Sequence, residues 1–138
     1  MKLRIVCFED NPKDWKRLEH IFTKHEVEFL PFVNPSDWDV TPGQIEGIAQ
    51  FKPDFAIVDL KDDKRRVTDA GERLIRKLKE SKKTRAIPIV VWSVLLRNTG
   101  SGLALKKRIE ELDATPLFKN RKNLPGAYKF LRAAGLNE

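Results

Sequence analysis

The chain is poor in cysteine: Cys7 stands alone among 138 residues. A single thiol excludes a disulfide framework and a zinc cage built from thiolates. There is no run of about 18 apolar residues, the length that spans a bilayer. The opening stretch MKLRIVCFEDN has a short apolar run but no small-residue cleavage site behind it, so it is a poor signal peptide. No internal repeat or low-complexity segment is evident. A glycine-rich phosphate loop is also lacking, because NTGSG at 98–102 does not have the Walker spacing. Neither helix-turn-helix nor zinc-finger spacing occurs. The expectation from these absences is a cytoplasmic protein with no membrane segment. The length suits one domain, 1–138. Such a chain buries roughly two-thirds of its unfolded surface. Three Trp and eight Phe argue against disorder. Basic residues outnumber acidic ones, 27 to 20, for a net charge of +7. That balance suits an acidic partner or nucleic acid.

Hydrophobic patterning predicts strand and helix five times in alternation. Leu3 to Phe8 reads as a buried strand. Pro12 opens a helix carrying Trp15, Leu18, Ile21, Phe22 and His25 at helical spacing. Val27 to Phe32 is the second strand. Thr41 is placed to cap a helix with Pro42 in its first turn and Ile45, Ile48 and Ala49 inward. Phe55 to Leu60 is the third strand, followed by the charged loop KDDKRRVTDAG. A helix is expected from about Ala70 to Lys83. Ile87 to Trp92 is continuously apolar, as a central parallel strand is when both faces are covered. A helix over about Leu103 to Leu112, a short strand over Thr115 to Phe118 and a last helix capped at Asn123 complete the pattern. Right-handed crossovers turn this order into an α/β fold, a doubly wound five-stranded parallel sheet with helices on both faces.

Ligands of such sheets sit beyond the carboxyl ends of the strands, near the switch in strand order. Chemistry gathers there. The first strand ends in Glu9 and Asp10, the third in Asp59, the fourth in Ser93 and the fifth in Lys119. Three carboxylates suit a hard cation such as Mg²⁺. A hydroxyl and an ammonium beside it suit the equatorial oxygens of a phosphoryl group. With no phosphate loop, a carboxylate that itself accepts the phosphoryl group is the expected nucleophile. Asp59, on the central strand, is the candidate.

In these residues the chain resembles the receiver domains of two-component response regulators. The resemblance spans essentially the whole chain. It rests on Glu9 and Asp10 in VCFEDN, Asp59 in FAIVDL, Gly71 in TDAG, Ser93 in PIVVWS and Lys119 in ATPLFKN. It implies a flavodoxin-like (CheY-like) fold and a phosphoacceptor at Asp59, with Ser93 and Lys119 acting on the phosphoryl group. It also implies a Mg²⁺ site made by Asp10, Asp59 and the backbone carbonyl of Lys61, with Glu9 acting through water. The implied donor is a histidine kinase or a phosphotransfer protein in a phosphorelay. The implied activity is self-catalysed phosphoryl transfer and hydrolysis, not that of an enzyme with turnover. No output domain is expected after the last helix, so the module would act alone through a downstream protein.

The pattern departs from that family in places. Asn120 follows the lysine where Pro is usual, Pro116 stands where many members carry an aromatic, and Val94 follows the hydroxyl where a small residue is usual. The loop after Asp59 is longer and holds Lys61, Asp62 and Asp63. These departures motivate an alternative reading as a receiver-like adaptor that binds without phosphorylation. A metal-dependent phosphatase or nuclease of similar sheet type wants a second aspartate two residues after the first, where this chain has Lys61. Residues 61–85 carry 11 basic and 5 acidic side chains. That stripe reads first as a solvated helix face and second as a docking surface for an acidic partner. Nucleic acid is the weaker alternative, since no aromatics interleave with the basic residues. Trp38 lies in a loop, where it is either core or a contact residue.

Overall fold

The computed structural model describes residues 2–34, 38–60 and 70–136. Five strands form one parallel sheet: β1 (Leu3–Phe8), β2 (Val27–Phe32), β3 (Phe55–Val58), β4 (Ile89–Ser93) and β5 (Thr115–Phe118). Their order is β2-β1-β3-β4-β5. Five helices alternate with them: α1 (Pro12–Ile21), α2 (Pro42–Phe51), α3 (Ala70–Glu80), α4 (Ser101–Glu111) and α5 (Ala127–Ala133). The chain leaves β1 towards β2 on one side and returns to β3 on the other. The strand order therefore switches between β1 and β3, whose register pairs Phe8 with Val58.

The two-residue period of the strands separates two cores. Ile5 and Cys7 face the side covered by α1 and α5, where Leu18, Phe22, Trp92, Phe130 and Leu131 are buried with them. Val6 and Phe8 face the other side, with Trp38, Ile48, Leu74, Ile75 and Ile109. Trp38 is core: it is 2% exposed, and its Nε1 donates to the Phe32 carbonyl at 3.0 Å. Burial pushes the Cys7 thiol well up from its ordinary range, consistent with a packing role.

Local chemistry sets the element ends. Asn11 caps α1 by accepting from the N–H groups of Lys13 and Asp14, with Pro12 just inside. Thr41 and Gln44 form a reciprocal capping box at α2. Several boundaries differ from the patterning; α1 ends at Ile21 and leaves Phe22 and His25 beyond it, and α4 starts at Ser101. Helix α3 stops at Glu80, where Ser81 begins a series of turns and Thr84 Oγ1 donates back to the Leu78 carbonyl at 2.7 Å. Strand β4 starts at Ile89 because Pro88 has no N–H for the ladder. Strand β3 ends at Val58, since the Leu60 N–H turns to the Asp59 side chain at 2.8 Å. Asn123 does not cap α5. The helix starts at Ala127 after Gly126, because Pro125 disfavours helical geometry at Leu124. The Asn123 N–H instead donates to Asn120 Oδ1 at 3.2 Å, as does that of Lys122 at 3.1 Å, closing a turn behind β5.

Candidate functional site

Strands β1 and β3 end side by side at the switch in strand order and deliver their following residues to one place. Asp59 is the residue after β3, and its N–H donates to the Phe8 carbonyl at 3.1 Å. Glu9 and Asp10 follow β1. Ligand oxygens of Glu9, Asp10 and Asp59 all lie within 4.8 Å of one another, and all three residues are buried. The backbone fixes them in turn. The Glu9 carbonyl accepts from Trp15 Nε1 at 2.6 Å, and the Asn11 N–H donates to Glu9 Oε2 at 3.3 Å. Gly71, in the first turn of α3, lies against the Asp59 backbone. A Cβ there would sit 2.4 Å from the Asp59 carbonyl oxygen, so this close approach admits only glycine.

Lys119 reaches the cluster from the end of β5 and is 1% exposed. Its Nζ donates to Glu9 Oε1 at 2.7 Å, Asp14 Oδ2 at 2.9 Å and Asp59 Oδ2 at 3.1 Å. An ammonium has three donors, and all three are used. The same nitrogen stands 4.7 Å from the centre of the buried Trp92 ring, a cation–π contact from the side facing α1 and α5. The Lys119 N–H also donates to the Ser93 carbonyl at 2.9 Å. Ser93 is thus at the same sheet edge, fully buried, and its hydroxyl accepts from the Leu95 N–H at 3.2 Å. Its hydroxyl is not joined to Asp59. The Lys61 carbonyl, and the side chains of Asp62 and Asp63, lie outside the described residues.

Burial, and then the charge of Asp59, raise the Glu9 carboxyl from 4.5 to about 8, against the pull of Lys119. Burial also opposes the Lys119 charge, yet Asp59, Glu9 and Asp14 outweigh it and hold the ammonium protonated above the ordinary lysine range. In Asp14 burial again acts upward, but the hydrogen bond from Arg121 and the field of Lys119 bring the carboxyl down from 3.8 to about 2.

Asp14 and Arg121 extend the Lys119 network beyond what the strand-end reading finds. Asp14 is fully buried. It lies four residues before Leu18 on the inward stripe of α1, and that placement was the available signal. A charged residue in the first turn of a helix is read by default as a solvent-facing partner of the helix dipole. Arg121 carries no such periodicity, because it sits in the turn after β5.

The donor set fits a hard divalent cation: three buried carboxylates, supplied by two adjacent strand ends, converge within one coordination sphere. Beside the cluster, Val94, Arg97, Phe118, Asn120, Arg121 and Lys122 line a cleft of about 370 Å³ together with Lys119. Two of the residues that depart from the receiver pattern, Val94 and Asn120, line this cleft. Pro116 lies on β5 opposite Val91. The basic residues of the 61–85 stripe that are described are mostly exposed on α3 and the turns after it. Lys79 pairs with Asp113, and Lys83 pairs with Glu46. Among the described residues, no helix is long and apolar enough to cross a membrane.

No protein-family model matches the chain, and no curated protein matches it in sequence. Solved structures do match its fold. The BeF3-activated N-terminal receiver domain of RstA from Klebsiella pneumoniae is 22% identical, with 94% of this chain and 93% of that one covered and a TM-score of 0.64. A putative response regulator from Chloroflexus aurantiacus is 16% identical, with 98% and 99% covered and a TM-score of 0.69. The receiver domain of the sensor histidine kinase PA1611 from Pseudomonas aeruginosa, which has a magnesium ion coordinated in its active-site cleft, is 16% identical over 98% and 99%, with a TM-score of 0.63. Parallel sheet, strand order and these neighbours together give the chain the fold of a response-regulator receiver domain.

Proposed function

We propose that the protein is a phosphoacceptor receiver module that takes a phosphoryl group onto Asp59. One observation carries this reading: the Asp59 carboxylate, at the switch in strand order, is held 3.1 Å from a buried ammonium and within one coordination sphere of Glu9 and Asp10. An Asp59 oxygen attacks phosphorus, a P–O bond forms, and the P–N bond of a phosphohistidine donor breaks, its electron pair leaving with the imidazole. Lys119 neutralises charge on the transferred group. Ser93, one strand away, is the hydroxyl that would turn towards it. Glu9, Asp10 and Asp59 would hold Mg²⁺, which when bound supplies further neutralisation of phosphoryl oxygens. The donor is a histidine kinase or phosphotransfer protein of a cytoplasmic phosphorelay, and the partner beyond it is a protein, with the basic stripe suiting an acidic one.

The test is intact mass after incubation with Mg²⁺ and acetyl phosphate or phosphoramidate. The expected result is a gain of one phosphoryl group that is lost with EDTA and in Asp59→Asn. Folded protein that gains nothing from either small donor or from a phosphorylated histidine phosphotransfer domain would leave the adaptor reading, in which Asp59→Asn keeps partner binding intact.

A further inference from the structure

Asp14 is saturated in an unusual way for a residue at the start of a helix. Its Oδ1 accepts from Arg17 Nη1 at 2.8 Å and Arg121 Nε at 3.1 Å. Its Oδ2 accepts from Arg121 Nη2 at 2.8 Å and Lys119 Nζ at 2.9 Å. A carboxylate offers about four lone-pair sites, and four donors occupy them. The Arg121 contact is the bidentate fork that guanidinium makes with carboxylate, a geometry that fixes orientation as well as charge. Arg121 is two residues beyond Lys119, so both ends of this short segment are tied to one side chain of α1. The Asn120 turn between them holds the backbone in the shape that allows both contacts.

The three carboxylates on Lys119 therefore differ in kind. Glu9 and Asp59 belong to the acidic cluster that would change its surroundings when a cation or a phosphoryl group arrives. Asp14 is not one of the three carboxylates placed to share a cation, and two arginines pair with it besides Lys119. It is the fixed acceptor of the three. A long lysine side chain has several rotatable bonds, and holding its ammonium at one spot requires an acceptor that does not itself move.

We propose that Asp14, clamped by Arg121 and Arg17, is a positioning residue that holds Lys119 beside Asp59 and thereby sets the rate at which Asp59 gains a phosphoryl group. This rests on the phosphoacceptor reading for its kinetic part only. The clamp itself is a statement about Lys119 and is measurable with no donor present.

The experiment has two arms on the full chain. In the first, ¹⁵N-lysine NMR follows the Lys119 ammonium, assigned through its contact with the Trp92 indole, and measures exchange of its protons with water. In the second, phosphoryl uptake from acetyl phosphate with Mg²⁺ is followed by intact mass. The variants are Asp14→Asn, Arg121→Gln and, as a surface charge control on α5, Lys129→Gln. A charge-assisted hydrogen bond lost from the ammonium predicts about tenfold faster exchange and about tenfold slower uptake in Asp14→Asn. Arg121→Gln should move both in the same direction by less, because Arg17 remains, and Lys129→Gln should match the native chain. Exchange and uptake both within about twofold of native in Asp14→Asn would overturn the proposal. So would slower uptake with unchanged exchange, since Asp14 would then act through its charge and not by position. If Asp14→Asn does not fold, Arg121→Gln decides by the same two signatures. If the native chain takes up no phosphoryl group, the phosphoacceptor reading and the kinetic part fail together, while the exchange arm still decides whether Asp14 holds Lys119.

Discussion

Two regions of this molecule use the same side-chain chemistry to different effect. On the flank of α3 and α4, lysines and arginines meet carboxylates in water. Lys79 pairs with Asp113 at 3.4 Å, where the Asp113 side chain is 96% exposed. At the carboxyl edge of the sheet, Lys119 meets three carboxylates with its side chain wholly buried. Solvent screens the first kind of pair and competes for its partners, so its net worth is small. Burial strips water from the second kind, so every charge there depends on its neighbours. Among the described residues, Lys119 is the buried basic side chain and the other basic residues are at least partly exposed.

The sharpest way to break the comparison is to remove the buried ammonium. Lys119→Met leaves Glu9, Asp14 and Asp59 facing one another without their shared cation, and should lower the free energy of unfolding by about 3–5 kcal/mol. Urea denaturation at neutral pH measures this. Added Mg²⁺ should restore part of the loss, because a cation at Glu9, Asp10 and Asp59 neutralises the same charges. A loss below about 1 kcal/mol, the worth of an exposed pair, would erase the distinction between the two regions.

Gly71→Ala should follow in size. The added methyl group meets the Asp59 carbonyl at 2.4 Å, a backbone contact that cannot swing aside. Overpacking of this sort destabilises by about 1–3 kcal/mol and displaces Asp59 as it does so. A melting curve checks the first effect, and intact mass after acetyl phosphate checks the second. The same substitution at Gly47 meets nothing within 4 Å and is the control.

Titration sharpens the comparison further. Asp14 has a folded-state pKa depressed from 3.8 to about 2, so its stabilisation is present above 3.8 and is lost as pH falls through about 2. Glu9 has the opposite sign. Its pKa is raised from 4.5 to about 8, so its contribution is complete below 4.5 and is lost as pH rises through about 8. Stability in the absence of metal should therefore fall on both sides of a mildly acidic optimum. Glu9→Gln should flatten the alkaline arm and leave the acid arm in place. An alkaline arm unchanged in that variant would show that Glu9 does not govern it.

The smallest effect is expected at the surface. Lys79→Gln should change stability by no more than about 0.5 kcal/mol, and by less as salt is raised. An effect as large as that of Lys119→Met would mean that the exposed pairs carry structural weight that their solvation does not suggest.

Patterning by itself specified much of this protein. The apolar-rich LRIVCF and the continuous apolar IPIVVW predict strands because a strand buried on both faces is apolar at nearly every position. Thr41 with Pro42 marks a helix start because capping is a local matter of a few bonds. The position of Glu9, Asp10, Asp59, Ser93 and Lys119 at strand ends was legible for the same reason: a chain of alternating strands and helices has one carboxyl edge. Helix ends were less legible, since Pro125 and Thr84 act through backbone contacts that hydrophobic period does not record. Only the tertiary structure decided how one ammonium is shared. Residues 9, 14, 59 and 119 are brought together by the shared carboxyl edge of the sheet and by the reach of Lys119 to Asp14 on α1, not by any spacing along the chain. Arg121 owes its role to the turn that folds it back over α1. Local sequence sets which residues can be charged; the dielectric that gives those charges their strength exists only once the two cores have closed around them.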